Sequence, residues 1–134
     1  MSPDLLWLVY TCVLTGIIWV PYVLARIVRH GPWAAFGTPD HATRPDPAWA
    51  ERARAAHANA AENLVVFAPL VIIAVMVGAT SPNTLMAAKA YFFARLVHVL
   101  AYSLAIPVVR TLAFVAGFVA TAVYAVAILQ HMAA

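Results

Sequence analysis

One group of residues able to do chemistry consists of Arg52, Asn59 and Glu62, which are spaced by seven and three positions. A helix turns about 100° per residue, so these spacings place the three side chains within about 80° of one another. A guanidinium, an amide and a carboxylate on one helix face offer charges of both signs and several hydrogen-bonding groups. The spacing therefore predicts a binding face.

A second polar face is formed by Arg95, His98 and Tyr102, which are spaced by three and four positions. On a helix these residues lie within about 60° of one another. Two such faces on neighbouring helices of a small membrane bundle are expected to point to its interior, since ionisable groups in lipid are costly. Together with Arg26 and Arg110 they predict a polar cavity of net positive charge.

The same residues allow structural interpretations that the sequence leaves open. Glu62 and Arg95 can form a buried ion pair that fixes the helix register. His98 alone more often donates a hydrogen bond in a core than acts in catalysis, and Tyr102 alone fits an aromatic residue at a membrane interface. We predict no metal site. No metal-ligand spacing occurs among the remaining histidines, which are His30, His41, His57 and His131.

The composition indicates the environment of these groups. Hydrophobic residues make up 65% of the 134 residues and charged residues only 10%, and the mean hydropathy is +0.88. A soluble domain is roughly half apolar and a quarter charged, and a small fold buries a smaller share of its surface. The net charge of +3 does not indicate nucleic acid, because the basic residues form no run and lie beside apolar segments. We therefore expect an integral membrane protein with lipid as a partner and no nucleic-acid partner.

Four apolar segments predict an all-α fold: a four-helix transmembrane bundle that forms a single domain over 1–134. Each segment is long enough to cross the hydrocarbon core of a bilayer, which takes about 20 residues. Pro21 interrupts the first segment, but transmembrane helices tolerate proline. The predicted helices cover approximately 5–28, 47–80, 83–106 and 108–131.

Arginines are concentrated on one side of the predicted bundle. Those that flank the long loop after the first helix, or begin the fourth helix, are Arg26, Arg29, Arg44, Arg52, Arg54 and Arg110. Basic residues beside membrane spans favour the cytoplasmic face. We therefore expect the cavity to open toward the cytoplasm and both termini to be non-cytoplasmic.

Three stretches of the chain resemble motifs of the MAPEG family, the membrane-associated proteins in eicosanoid and glutathione metabolism. The stretch 51–63, ERARAAHANAAEN, resembles the second-helix signature E-R-x-x-R-A-H-x-N-x-x-E-N, with Ala55 in place of its second arginine. The stretch 94–102, ARLVHVLAY, looks like the third-helix motif R-x-x-H-x-x-x-Y. Arg110 and Thr111 resemble the pair that begins the fourth helix. The resemblance extends over essentially the whole chain.

This resemblance implies a homotrimer of four-helix subunits that binds glutathione between neighbouring subunits, near the cytoplasmic face. It implies that Arg110 stabilises the thiolate of glutathione, and a cation beside a thiol does lower the thiol pKa. The residues that it implies for glutathione binding are Arg26, Arg52, Asn59, Glu62, Arg95, His98, Tyr102 and Thr111.

The resulting hypothesis is a glutathione-dependent membrane transferase or peroxidase that acts on a hydrophobic electrophile arriving through the lipid. The alternative is a non-catalytic MAPEG-like protein that binds a lipid or another amphiphile in the same cavity. A third possibility is a scaffold whose polar faces serve only packing. Thiol chemistry that depends on Arg110 distinguishes the first, and ligand binding without turnover the second. Instability after Glu62→Ala without any ligand binding would indicate the third.

Overall fold

The structure, a computed structural model, describes residues 2–38 and 40–133, and its regular elements there are all helical. Four stretches are long and apolar enough to cross a membrane, with α1 and α2 together forming the first. This confirms the predicted all-α membrane architecture. The helices are α1 (Pro3–Ile17), α2 (Trp19–His30), α3 (Ala48–Val77), α4 (Pro82–Ser103) and α5 (Pro107–Ala133), and a 3-10 turn, Pro32–Ala35, follows α2.

The first span is interrupted at Ile18, between α1 and α2. Pro21 lies four residues after Ile17 and has no N–H to donate to the carbonyl of that residue, and its ring crowds the same carbonyl. The break therefore falls one turn before the proline. Pro69 lies inside α3, which continues through it.

The turn from α3 to α4 is short because both helix ends carry their own caps. Gly78 adopts a left-handed conformation, with φ of 79°, and its N–H donates to the carbonyls of Ala74 and Val75. Ser81 and Thr84 then cap the start of α4 reciprocally, each side chain accepting a hydrogen bond from the backbone N–H of the other. These caps hold α3 and α4 as antiparallel neighbours.

The turn from α4 to α5 is equally tight and positions the polar residues described below. Only three residues separate Ser103 from Pro107. Ala105, in the middle of the turn, has φ of 59°, a conformation that an α-helix cannot continue. The sequence predicts α4 up to residue 106, whereas the left-handed Ala105 ends it at Ser103. The turn folds α5 back along α4, so Arg110 comes beside Tyr102.

Aromatic rings fill the half of the bundle nearer the chain termini. The rings of Phe67 and Tyr91 stack with centroids 3.6 Å apart, and Tyr124 packs edge-on against Phe67 at 5.6 Å. The hydroxyl of Tyr124 donates a hydrogen bond of 2.7 Å to Oδ1 of the buried Asp4. We call Asp4, Phe67, Tyr91 and Tyr124 the terminal core.

Small residues mediate much of the remaining helix packing, and large apolar residues point outward. Ala56 and Ala60 on α3 are fully buried, whereas Val65 and Met76 on the same helix are 72% and 79% exposed. Close packing through small residues with an apolar exterior is typical of helices in lipid. The bundle is therefore built for a membrane.

Candidate functional site

A polar cleft opens between α3, α4 and α5 beside the α4–α5 turn. Its volume is about 210 Å³. Five of the residues predicted from the sequence line it, together with one aromatic residue that the sequence did not indicate. These cleft residues are Asn59, His98, Tyr102, Arg110, Thr111 and Phe114.

Arg110 is the cation of the cleft. Its Cζ lies 4.8 Å from the centroid of the Tyr102 ring, a distance at which a guanidinium is attracted by the ring face. Within residues 2–38 and 40–133, no carboxylate lies within ion-pair distance of it. Arg110 is also in the first turn of α5, where the helix dipole adds positive potential. An anion is the ligand that this arrangement favours.

His98 presents an unsatisfied polar atom at the cleft. The residue is only 3% exposed, and its Nδ1 has no hydrogen-bond partner in the described part of the chain. Its ring packs edge-on against Tyr102, with centroids 5.7 Å apart. Buried polar atoms are nearly always paired, so an unpaired one beside a cavity fits a polar ligand group.

Arg95 lies behind the cleft and does not line it. Its side chain is fully buried and donates to Oδ1 of Asn59 and to the carbonyl of Phe114, both at 3.4 Å. Asn63 also donates to Oδ1 of Asn59, at 3.3 Å. Because the amide oxygen of Asn59 is already occupied, its NH₂ group remains for a ligand. Arg95 therefore orients Asn59, and its predicted direct contact with glutathione stays a prediction.

Gly117 makes room for Arg95, a role that the sequence analysis missed. A Cβ atom at position 117 would overlap the guanidinium of Arg95. Glycine in the interior of a transmembrane helix, on α5 opposite an arginine of α4, is the signal that could have revealed it. Arg95 packs against Gly117 of α5 and donates to Asn59 of α3. The packing of α4 against α5 therefore affects the position of Asn59.

Two residues of the predicted face on α3 lie outside the cleft. Arg52 donates from Nε to the carbonyl of Ser103, at 2.9 Å, and so caps the end of α4. Glu62 is exposed. The buried face of α3 includes Ala56 and Ala60, and Glu62 follows Ala60 by two residues, about 200° around the helix. The expectation that Glu62 faces the interior of its own bundle is therefore wrong.

The alternative of a buried Glu62–Arg95 ion pair is not found either. In the described residues Arg95 has no carboxylate within ion-pair distance, and the partners it does have are neutral oxygens. A pair of this kind would need Glu62 on the opposite side of α3. Instead of that ion pair, the contacts of Arg95 with Asn59 and Phe114 fix the helix register.

Arg26 lies in a second polar region, at the loop between α2 and α3. It donates from Nε to the carbonyl of Ala34, at 3.3 Å, and from Nη1 to Oδ2 of Asp46, at 3.2 Å. It lines a loop cavity of about 410 Å³ and not the cleft. In the same loop, hydrogen bonds from the side chain and backbone of Thr43 hold the pKa of the exposed Asp40 below its usual value.

The loop also brings together His41, Asp46 and Glu51, which the sequence analysis did not link. One potential ligand atom from each lies within 4.8 Å of the other two. The three positions are spaced by five and five, which matches neither helix nor strand periodicity, and the path of the loop places them side by side. Helix and strand periodicity therefore did not signal this cluster.

Comparison with known proteins gives one positive finding. The sequence model of the MAPEG family matches residues 5–130, nearly the whole chain. No curated protein and no solved structure matches this chain. The matched range contains every residue that lines the cleft.

Proposed function

The chain belongs to the MAPEG family, and from that premise we propose that it is a glutathione-dependent membrane transferase or peroxidase acting on hydrophobic electrophiles. The observation that carries the proposal is Arg110, which lines the cleft and has no carboxylate within ion-pair distance among the described residues. His98 lines the same cleft, and its buried Nδ1 has no hydrogen-bond partner in those residues. A thiolate supplies the negative charge that Arg110 favours. The peptide part of glutathione supplies the hydrogen-bonding groups that the other cleft residues can use.

The proposed role of Arg110 is to stabilise the glutathione thiolate, which is the nucleophile. Both its guanidinium and the N-terminal end of α5 favour the thiolate over the thiol. Each unit by which they lower the thiol pKa corresponds to about 1.4 kcal/mol. The sulfur then forms a bond to the electrophilic carbon, and the leaving group departs with its electron pair.

The other polar groups are proposed to hold the tripeptide. The NH₂ of Asn59 and the hydroxyl of Tyr102 can donate to its carbonyl and carboxylate oxygens. The hydroxyl of Thr111, which donates to the carbonyl of Pro107, can accept from its N–H groups. Arg52 uses only Nε on Ser103, which leaves its two NH₂ groups for a carboxylate. Arg26 contributes more weakly, because Asp46 already neutralises it.

Glu62 supports the proposal that the protein is a homotrimer. It is exposed near the middle of α3, a helix that spans the membrane. An ionised carboxylate facing lipid at that depth is costly, so another surface must cover it. A neighbouring subunit provides that surface, and the ammonium of glutathione bound between the subunits provides the opposite charge. The number three comes from the family resemblance. Native mass spectrometry in mild detergent that shows only monomer would contradict it.

An apolar surface beside the cleft supports a hydrophobic co-substrate. Thr111 lines both the cleft and an adjoining depression formed with Pro107, Val108 and Leu112. Val108 and Leu112 are well exposed. An electrophile dissolved in the bilayer can therefore reach the sulfur without crossing water. The concentration of arginines around the α2–α3 loop and at Arg110 supports a cytoplasmic cleft, with both termini on the opposite side.

A second candidate function rests on the same apolar surface. An amphiphile with an anionic head group and an apolar tail would place the head at Arg110 and the tail along Val108 and Leu112. This is the non-catalytic lipid-binding alternative. It requires no thiol chemistry, and it shares with the first candidate the preference for an anion in the cleft.

The deciding experiment is thermal unfolding and turnover of the detergent-purified protein with glutathione and with S-methylglutathione. A ligand that binds only the folded protein raises its unfolding temperature. We expect both peptides to raise it and only glutathione to react with chlorodinitrobenzene. Binding of an anionic amphiphile without any effect of either peptide would favour the second candidate and contradict the first.

A further inference from the structure

The convergence of His41, Asp46 and Glu51 has the dimensions of a metal site. His41 Nδ1 is 2.9 Å from Glu51 Oε1 and 3.6 Å from Asp46 Oδ2. Nitrogen and oxygen ligands bind zinc at about 2.0–2.1 Å, so two ligands of one tetrahedral ion are roughly 3.3 Å apart. The three side chains are therefore nearly at the separations that a single ion requires.

Two buried atoms at this cluster have no hydrogen-bond partner. They are Asp46 Oδ1 and His30 Nε2, which lie 3.4 Å apart. The Asp46 side chain is only 8% exposed, so its Oδ1 is an acceptor removed from water. The two atoms are within ion-pair distance of each other, so a second histidine lies beside the three candidate ligands.

An arginine binds each carboxylate of the cluster. Arg26 binds Oδ2 of Asp46, which is also the Asp46 oxygen 3.6 Å from His41 Nδ1, and Arg54 binds Oε2 of Glu51. The other oxygen of Glu51, Oε1, faces His41 Nδ1 and accepts from the backbone N–H of Asp46. Hydrogen bonds to the outer oxygen of a ligating carboxylate are the usual means of orienting it. Arg54 also contacts Nε2 of His41, and it must leave that atom when Nδ1 binds a metal.

We propose that the α2–α3 loop binds a divalent transition-metal ion, with zinc preferred, through His41, Asp46 and Glu51. Mixed imidazole and carboxylate ligands suit zinc and its neighbours, whereas calcium and magnesium prefer oxygen alone. The ligands come from the loop and from the first turn of α3. The ion therefore ties the loop to α3. The site shares no residue with the cleft and does not depend on the proposed glutathione chemistry.

The test uses the full-length protein in nanodiscs after treatment with a chelator. Zn²⁺ should raise the unfolding temperature in a saturable way, and Mg²⁺ at the same concentration should not. Co²⁺ should give the visible ligand-field absorption of a four- or five-coordinate site. The absence of both a saturable Zn²⁺ effect and a Co²⁺ spectrum in the wild-type protein would overturn the proposal.

Three variants sharpen this test. His41→Gln keeps a side chain of similar size and should weaken Zn²⁺ binding at least tenfold. His131→Gln, at the exposed end of α5, is the matched control and should bind as the wild type does. Arg54→Gln should bind Zn²⁺ more tightly, because it removes a cation that competes for His41 while retaining a donor for Glu51. Wild-type affinity in His41→Gln would contradict the site even if the loop remains folded.

Discussion

The terminal core and the cleft differ in whether their polar atoms have bonding partners. In the terminal core the rings of Phe67 and Tyr91 stack closely, and the hydroxyl of Tyr124 binds the Asp4 carboxylate. Its exception is the hydroxyl of Tyr91, which is unpaired in the described structure. The cleft instead contains Arg110, which has no carboxylate within ion-pair distance in the described residues, and His98, whose buried Nδ1 is unpaired there. The difference indicates that one half of the bundle provides stability and the other retains binding capacity.

The largest expected effect is a loss of turnover when Arg110, in the cleft, is replaced. Arg110→Leu should lower turnover at least 100-fold, equivalent to about 2.7 kcal/mol of transition-state stabilisation, since removal of one charge-stabilising donor commonly costs this much. The unfolding temperature and the oligomeric state should not change. Conjugation of chlorodinitrobenzene measures the effect, and Arg44→Leu, in the exposed loop, is the matched control. Unchanged turnover in Arg110→Leu would show that the role given to this residue is wrong.

The next effect concerns the packing that supports the cleft from behind. Gly117→Ala should destabilise the protein by about 2 kcal/mol, because the new methyl group displaces the buried Arg95 guanidinium. Gly16→Ala is the control. It lies within α1 with open space around it, so it should be neutral or stabilising by about 0.5–1 kcal/mol. Reversible unfolding in mixed detergent micelles compares the two. Equal stabilities would mean that Arg95 moves freely and does not orient Asn59.

A smaller effect is expected in the terminal core. Tyr124→Phe removes the hydrogen bond to Asp4 and should destabilise the protein by about 1.5 kcal/mol, because the acceptor is the carboxylate of a buried residue. Turnover and glutathione affinity, measured at a temperature where the variant is folded, should stay at wild-type values. A large loss of turnover in this variant would contradict the assignment of stability to the terminal core and of binding to the cleft.

The smallest effect is expected in the loop, outside both halves. Thr43→Val removes the side-chain hydrogen bond that lowers the pKa of Asp40, so that pKa should rise toward its usual value. A lowered carboxyl pKa contributes stability above the unfolded-state pKa, and this is lost as the pH falls through the folded-state pKa. Asp40 is exposed, so stability at neutral pH should not change measurably. Carboxyl-carbon NMR against pH would test this, and an unchanged Asp40 titration would contradict it.

Helical periodicity predicted the parts of the site that depend on a single helix. His98 and Tyr102 share a face of α4, and the apolar segments revealed the four spans. The rotation of α3 was not predictable in the same way. Alanines occupy both its buried and its exposed faces, so composition does not show that Ala60 is buried and that Glu62 points away from the bundle.

The contacts within the α2–α3 loop could not be predicted from the sequence, for a different reason. Arg26, His41 and Asp46 meet through the path of the α2–α3 loop, which no periodic pattern describes. The sequence also did not reveal the partner of Arg95. The carboxylate of Glu62 and the amide of Asn59, three positions apart on α3, are equally plausible partners for a guanidinium. The structure selects Asn59.

The central claim is that the cleft holds glutathione as a thiolate, and ultraviolet difference spectroscopy at neutral pH tests it most directly. The account predicts a thiolate band that saturates with glutathione in the wild-type protein and is absent with S-methylglutathione. Arg110→Leu should lose the band while it still binds the tripeptide. Glutathione bound to the wild-type protein without a thiolate band near pH 7 would contradict the account.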